Sequence, residues 1–173
     1  MMNMAAANQA LQAVQNMHTS AEFEPAQPND VDDCIAIRAQ TRQNPISAAH
    51  LAELGITSES WSELVRTDAL PGFVCRNSGR IIGYCFGERK TGEVVVLALL
   101  PEFENQGIGR KLLDLVVAEL VRSGNTKLFL GCSADPGSRS YGFYRHLGWR
   151  STNQFDSNGD EILEYHCLAS GEA

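Results

Sequence analysis

Between Glu93 and Arg122 the chain reads EVVVLALLPEFENQGIGRKLLDLVVAELVR, and this stretch restricts the fold more than any other. A continuous apolar run stops at Pro101, crosses a polar segment, passes Gly107 and Gly109, and resumes with Leu112, Leu113, Leu115, Val116, Val117, Leu120 and Val121. The run before the proline reads as a buried strand, and the spacing after the glycines predicts a helix over 107–122. A strand entering a glycine turn and then a helix aims free backbone N–H groups at one point, which is a site for an anion. Arg110 and Lys111 point the same way. A helix start carries about half a positive charge, so cations in the first turn cost about 0.3 to 1 kcal/mol each. A bound anion would reverse that cost.

Spelling narrows the choice of anion. A Walker A loop needs a hydroxyl residue after its lysine, and Leu112 follows Lys111. A dinucleotide fingerprint needs a third glycine, again at Leu112, and an acidic residue at the end of the next parallel strand, where KLFLG ends in glycine and cysteine. Neither nucleotide motif survives.

The rest of the chain supplies the frame. Residues 1–20 carry no charge and read as an N-terminal arm or short helix; 21–168 read as one domain, and 169–173 as a tail. A short strand over 22–26 precedes a helix from Asp30 to Arg42 with Asp30 as N-cap. TRQNPIS interrupts it, and a second helical region follows with Ser60 and Glu63 as a capping box around Trp61. The period then changes from 3.6 to 2: GFVCR, the turn Asn77-Ser78-Gly79 and IIGYCFGER form a hairpin leading into EVVVLALL. After the long helix come a strand (KLFLG), a turn (ADPGS), a helix (SRSYGFYRHL), and a hairpin around Asn158-Gly159.

Composition sets outer limits. With 14 Lys and Arg against 21 Asp and Glu, the formal net charge is -7, which excludes a broad nucleic-acid footprint and favours a cationic partner. The 5 cysteines are widely spaced and lack a C-x-x-C pair, so they read as small apolar residues in a reducing compartment, with no metal site. No basic, apolar leader stands at the start and no run spans a bilayer, so a cytoplasmic chain without a membrane partner is expected.

PEFENQGIGRKLL, paired with DPGSRSYGFYRHLGW farther on, resembles the two motifs of the GNAT superfamily of acyl-CoA-dependent N-acetyltransferases. The resemblance covers residues 21–168. TRQNPIS and the P-G-S-R, F-Y-R and G-W spellings are similar to one subgroup. It implies an α/β GNAT-like fold: a central, mixed but mostly antiparallel sheet of about seven strands, helices on both faces, and splayed fourth and fifth strands. It implies acetyl-CoA as co-substrate, with Leu99 and Leu100 offering backbone groups to the pantetheine arm. Asn105, Gln106, Gly107, Ile108, Gly109, Arg110 and Lys111 would surround the diphosphate. Two spellings depart from the family. Glu104 stands where Arg or Gln is usual, and Gly137 where many members have asparagine, a role that Ser138 or Arg139 would take over.

Acetyl transfer to an amine needs a neutral nitrogen, a polarised thioester carbonyl and a proton for the leaving sulfur. By the resemblance Tyr144 is the acid, also contacting the cofactor. Glu93 is the first candidate base, with Glu88, Asp135 and His146 behind it. Arg42 and Asn44, in TRQNPIS, would contact the acceptor, a small-molecule or peptide amine. The expected activity is N-acetyl transfer to a primary amine by direct attack in a ternary complex. The alternative is an acyl-CoA-binding sensor or interaction module without catalysis. A homodimer is compatible with either.

Overall fold

Among the described residues, two antiparallel sheets meet at a single isolated bridge. In the first, β1 (Glu22–Pro25), β2 (Gly72–Asn77), β3 (Arg80–Gly87) and β4 (Val94–Leu99) lie in chain order. In the second, β7 (Glu161–His166) lies between β5 (Lys127–Cys132) and β6 (Arg150–Phe155). The bridge pairs Glu93 with Phe129 in parallel. The seven strands therefore form two sheets rather than one continuous sheet. The structure is a computed structural model and describes residues 21–167; the expected arm (1–20) and tail (169–173) lie outside the described residues. No helix among the described residues is long and apolar enough to cross a membrane.

Alternation along β3 decides which helix covers which face. Tyr84 and Phe86 pack edge-on against Trp61, at centroid distances of 5.8 and 5.2 Å, so one face lies under α3 (Ser58–Arg66). Gly83 and Gly87 point the other way: a Cβ on Gly87 would stand 2.7 Å from Leu120 Cδ1 and 2.9 Å from Val116 Cγ1. Both partners belong to α4 (Ile108–Arg122), which these glycines let approach the sheet closely. α1 (Val31–Arg38) joins α3 on the first face, burying Val31, Cys34 and Ile37. On that side the Trp61 Nε1 and the Tyr84 hydroxyl are buried with no hydrogen-bond partner among the described residues.

Three local expectations need correction. The first helix ends at Arg38, not Arg42, and the Arg38 guanidinium reaches forward to the loop that follows: it donates to Thr41 Oγ1 (3.1 Å) and to the Asn44 carbonyl (2.6 Å). Asp30 does not cap with its side chain; its carboxylate instead accepts from the Gln27 N–H (2.9 Å) and Arg76 Nη2 (2.6 Å). The capping box is Thr57 with Ser60, each side chain accepting from the other's N–H at 3.1 and 2.9 Å, while Glu63 pairs with Arg66. A further helix, α2 (Ala48–Glu53), is capped by Ser47. The short helix α5 (Arg139–His146) follows β5.

Candidate functional site

The turn between β4 and α4 has the backbone expected of an anion loop. Asn105 and Gly107 both take left-handed conformations, with φ of 62° and 79°. A Cβ on Gly107 would meet nothing within 4 Å, so its conformation, not crowding, is what favours glycine. Amides from Asn105 to Arg110 have no hydrogen-bond partner among the described residues; the first satisfied amide in the helix is Lys111, bonded to the Gly107 carbonyl at 3.1 Å. Ile108 is buried and anchors the turn, leaving Asn105, Gln106 and Gly107 exposed. Arg110 approaches Asp114 at 3.9 Å, and Lys111 is exposed. A row of free amides beside two cations is suited to a diphosphate.

Hydrogen-bond alternation in β4 distinguishes Leu99 from Leu100. The Leu100 N–H donates to Ile82 (2.9 Å) and its carbonyl accepts from Phe103 (3.0 Å), so both Leu100 groups are engaged. In an antiparallel ladder the neighbouring residue faces the opposite edge. Leu99, opposite Gly83, therefore turns its N–H and carbonyl toward β5, beyond the point where the Glu93–Phe129 bridge joins the sheets. Sequence reasoning treated the two leucines alike; of the two, the backbone geometry leaves Leu99 open.

Tyr144 lies on α5, which follows β5. Its ring packs edge-on against Phe143 (5.0 Å) and Trp149 (6.2 Å). Burial, with lesser contributions from Cys85 on one sheet and Cys132 on the other, pushes its phenol well above the usual range. Its hydroxyl has no hydrogen-bond partner among the described residues. Ser138, at the N-cap of α5, accepts from the Tyr141 N–H at 3.3 Å and so sets the start of the helix that carries Tyr144.

Glu93 is half-buried at the bridge, and its carboxyl is raised by burial, then by Glu88 and Asp156. Glu88 is itself bonded to Thr91 Oγ1. Gly131 lacks the Cβ that would crowd Asp156, whose Oδ2 lies 3.1 Å from that position, and Asp160 stands close by. Asp135 caps its own turn by accepting from the Gly137 N–H at 2.8 Å, and His146 is exposed at the end of α5.

The α1–α2 loop reaches the same end of β4. Arg42 Nε donates to Glu104 Oε2 at 2.8 Å, and Arg139 donates to the same oxygen. Arg139 also donates to Asn105 Oδ1 (3.1 Å), while its backbone N–H donates to Gln43 Oε1 (3.1 Å). Asn44 has φ of 51° and gives its carbonyl to Arg38. Sequence reasoning missed Gln43, and it missed the role of Arg145: this side chain lies 3.6 Å over the Tyr141 ring and pairs with Glu161, fastening α5 to β7. A groove of about 440 Å³ runs from Arg110 and Asp114 along α4 to His146, Trp149 and Tyr165.

A family model described as "Acetyltransferase (GNAT) family" matches residues 32–149. An uncharacterized N-acetyltransferase of Chlorobaculum tepidum is 33% identical over 81 residues, which are 45% of this chain and 48% of that protein. The match thus spans about half the length of that curated relative. Among solved structures, the PaiA N-acetyltransferase of Thermoplasma acidophilum, in complex with coenzyme A, superimposes with a TM-score of 0.71 at 17% identity, covering 85% of this chain and 99% of that one. The ribosomal-protein-S18-alanine N-acetyltransferase of Escherichia coli gives 0.65 at 18%, covering 88% and 97%. The yncA protein of Salmonella typhimurium, solved with acetyl-CoA, gives 0.66 at 18%, covering 89% and 98%. At these identities the likeness shows a shared fold.

Proposed function

The chain belongs to the GNAT acetyltransferase family, and on that premise we propose that it transfers acetyl from acetyl-CoA to a primary amine by direct attack in a ternary complex. The observation that carries this reading is the row of unpartnered amides from Asn105 to Arg110, opening beside the free edge groups of Leu99. These amides, with Arg110 and Lys111, hold the diphosphate. The groove past Arg110 offers room for the nucleoside end. The Leu99 N–H and carbonyl bond the pantetheine arm, which leads the thioester along β4 toward Glu93.

Glu93 takes the proton from the acceptor nitrogen, directly or through water; its raised carboxyl suits a base working near neutral pH. The new N–C bond forms as the C–S bond breaks, and Tyr144 gives its proton to the departing sulfur. Arg42 and Asn44 border the acceptor, a small-molecule or peptide amine. The test is thiol release from acetyl-CoA by the purified chain over a panel of primary amines, with coenzyme A binding followed by calorimetry. Binding together with amine-dependent thiol release is expected. Absence of binding overturns the reading, and binding without turnover across the panel favours a sensor.

A further inference from the structure

Glu104 stands at the head of the anion loop, where a negative charge opposes a bound diphosphate. Its side chain is only 14% exposed, and two guanidinium groups from distant segments converge on one of its oxygens: Arg42 at 2.8 Å and Arg139. Neither arginine is buried to that degree, at 57% and 46% side-chain exposure. Two like charges gather at one point only while the carboxylate lies between them.

We propose that Glu104 is a positioning residue: through Arg42 and Arg139 it ties the α1–α2 loop to the anion loop, so that diphosphate occupancy tightens the loop that borders the acceptor. This rests on the reading of Asn105–Lys111 as the coenzyme A diphosphate site. The trio carries one net positive charge, and Arg139 already touches the loop through Asn105 Oδ1 (3.1 Å). An incoming diphosphate is therefore attracted to the trio, and it gives the guanidinium groups of Arg42 and Arg139 a second anion to bond beside Glu104. The effect passes to the α1–α2 loop through Arg42, whose Nε donates to Glu104 at 2.8 Å. That loop is tied to itself, since Arg38 holds Thr41 and Asn44 and the Ile46 N–H closes onto the Arg38 carbonyl at 3.0 Å. Coenzyme A is thereby expected to prepare the acceptor side before the amine arrives.

Amide hydrogen exchange tests this on the full chain, with and without coenzyme A, in the wild type, Glu104→Gln and Arg42→Gln. In the wild type coenzyme A should protect residues 105–111 and also slow the Ile46 amide about fivefold, the low end of coupling between sites. In both variants 105–111 should remain protected while the slowing at Ile46 disappears. Without coenzyme A, both variants should exchange Ile46 faster than the wild type. Slowing at Ile46 that persists in either variant overturns the proposal, as does a wild type protected at 105–111 but unchanged at Ile46. Equal Ile46 rates in all three proteins without coenzyme A overturn it independently of any ligand. Failure to protect 105–111 in the wild type overturns instead the diphosphate reading beneath it.

Discussion

Tyr144 keeps its proton because burial, with the thiols of Cys85 and Cys132 nearby, disfavours the phenolate. A hydroxyl held protonated is suited to donate, and Tyr144→Phe is expected to lower turnover by about 10²- to 10⁴-fold. Coenzyme A affinity, measured by calorimetry, should stay within about twofold, because the ring and its packing remain; equal losses in both would refute the acid role. Glu93 presents the opposite balance. Its folded pKa is raised, so the stability it contributes is present in full below the ordinary carboxylate value and is lost as pH rises through the raised one. Glu93→Gln should therefore melt higher than the wild type at neutral pH, by less than about 1 kcal/mol once solvent screening of a half-exposed group is counted. That advantage should fade below about pH 4, where both forms are neutral. Acetyl transfer should fall in the same variant, and melting curves across pH set against rates would reveal a residue kept for function at the expense of stability. A variant less stable at neutral pH would contradict this assignment.

Elements were legible where their signals are local. The hairpin at Asn77-Ser78-Gly79 turns through positive φ at Ser78 (51°) and Gly79 (78°), and α4 stops at Gly124 (99°), as turn chemistry predicts. Periodicity carries the first helix four residues too far, because it does not reveal that Arg38 reaches forward to hold the following loop. Asp30 has the chemistry of a cap, yet Arg76, brought beside it by β2, takes its carboxylate. The placement of α4 on the sheet depends on glycines whose role emerges only in packing. Gly87→Val would force a branched side chain into Leu120 and Val116, and should destabilise the fold by about 1 to 3 kcal/mol in denaturant melts. An unchanged midpoint would mean that α4 can shift outward without cost.

At the scale of the molecule, the two sheets share one bridge among the described residues, at Glu93 and Phe129. A ligand lying between them and bound to the anion loop contacts both, so its affinity adds to the stability of the whole. Coenzyme A at about a hundredfold over its Kd should stabilise the folded chain by about 2.7 kcal/mol. For a chain of this size that raises Tm by roughly 5 to 10 °C in thermal melts. The rise should shrink with added salt, because Arg42, Arg110, Lys111 and Arg139 are largely open to solvent screening. No shift at saturating coenzyme A would count against the site.

The sequence by itself determined the strand, glycine turn and helix around Gly107, and with them the unsatisfied amides, because these follow from φ and ψ preferences of neighbouring residues. It also carried the two motifs from which the family could be read. Tertiary structure decided what Glu104 is for. Its partners lie 62 and 35 residues away, and no local period encodes which charges will meet. The same holds for Leu99 against Leu100, alike in sequence and separated by the hydrogen-bond alternation that pairing with β3 imposes. It holds for Tyr144 as well, whose phenol is raised chiefly by burial in the folded chain, with lesser contributions from thiols on two sheets. Local conformation is set by adjacent residues; charge, exposure and proton affinity are set by whatever the folded chain brings near.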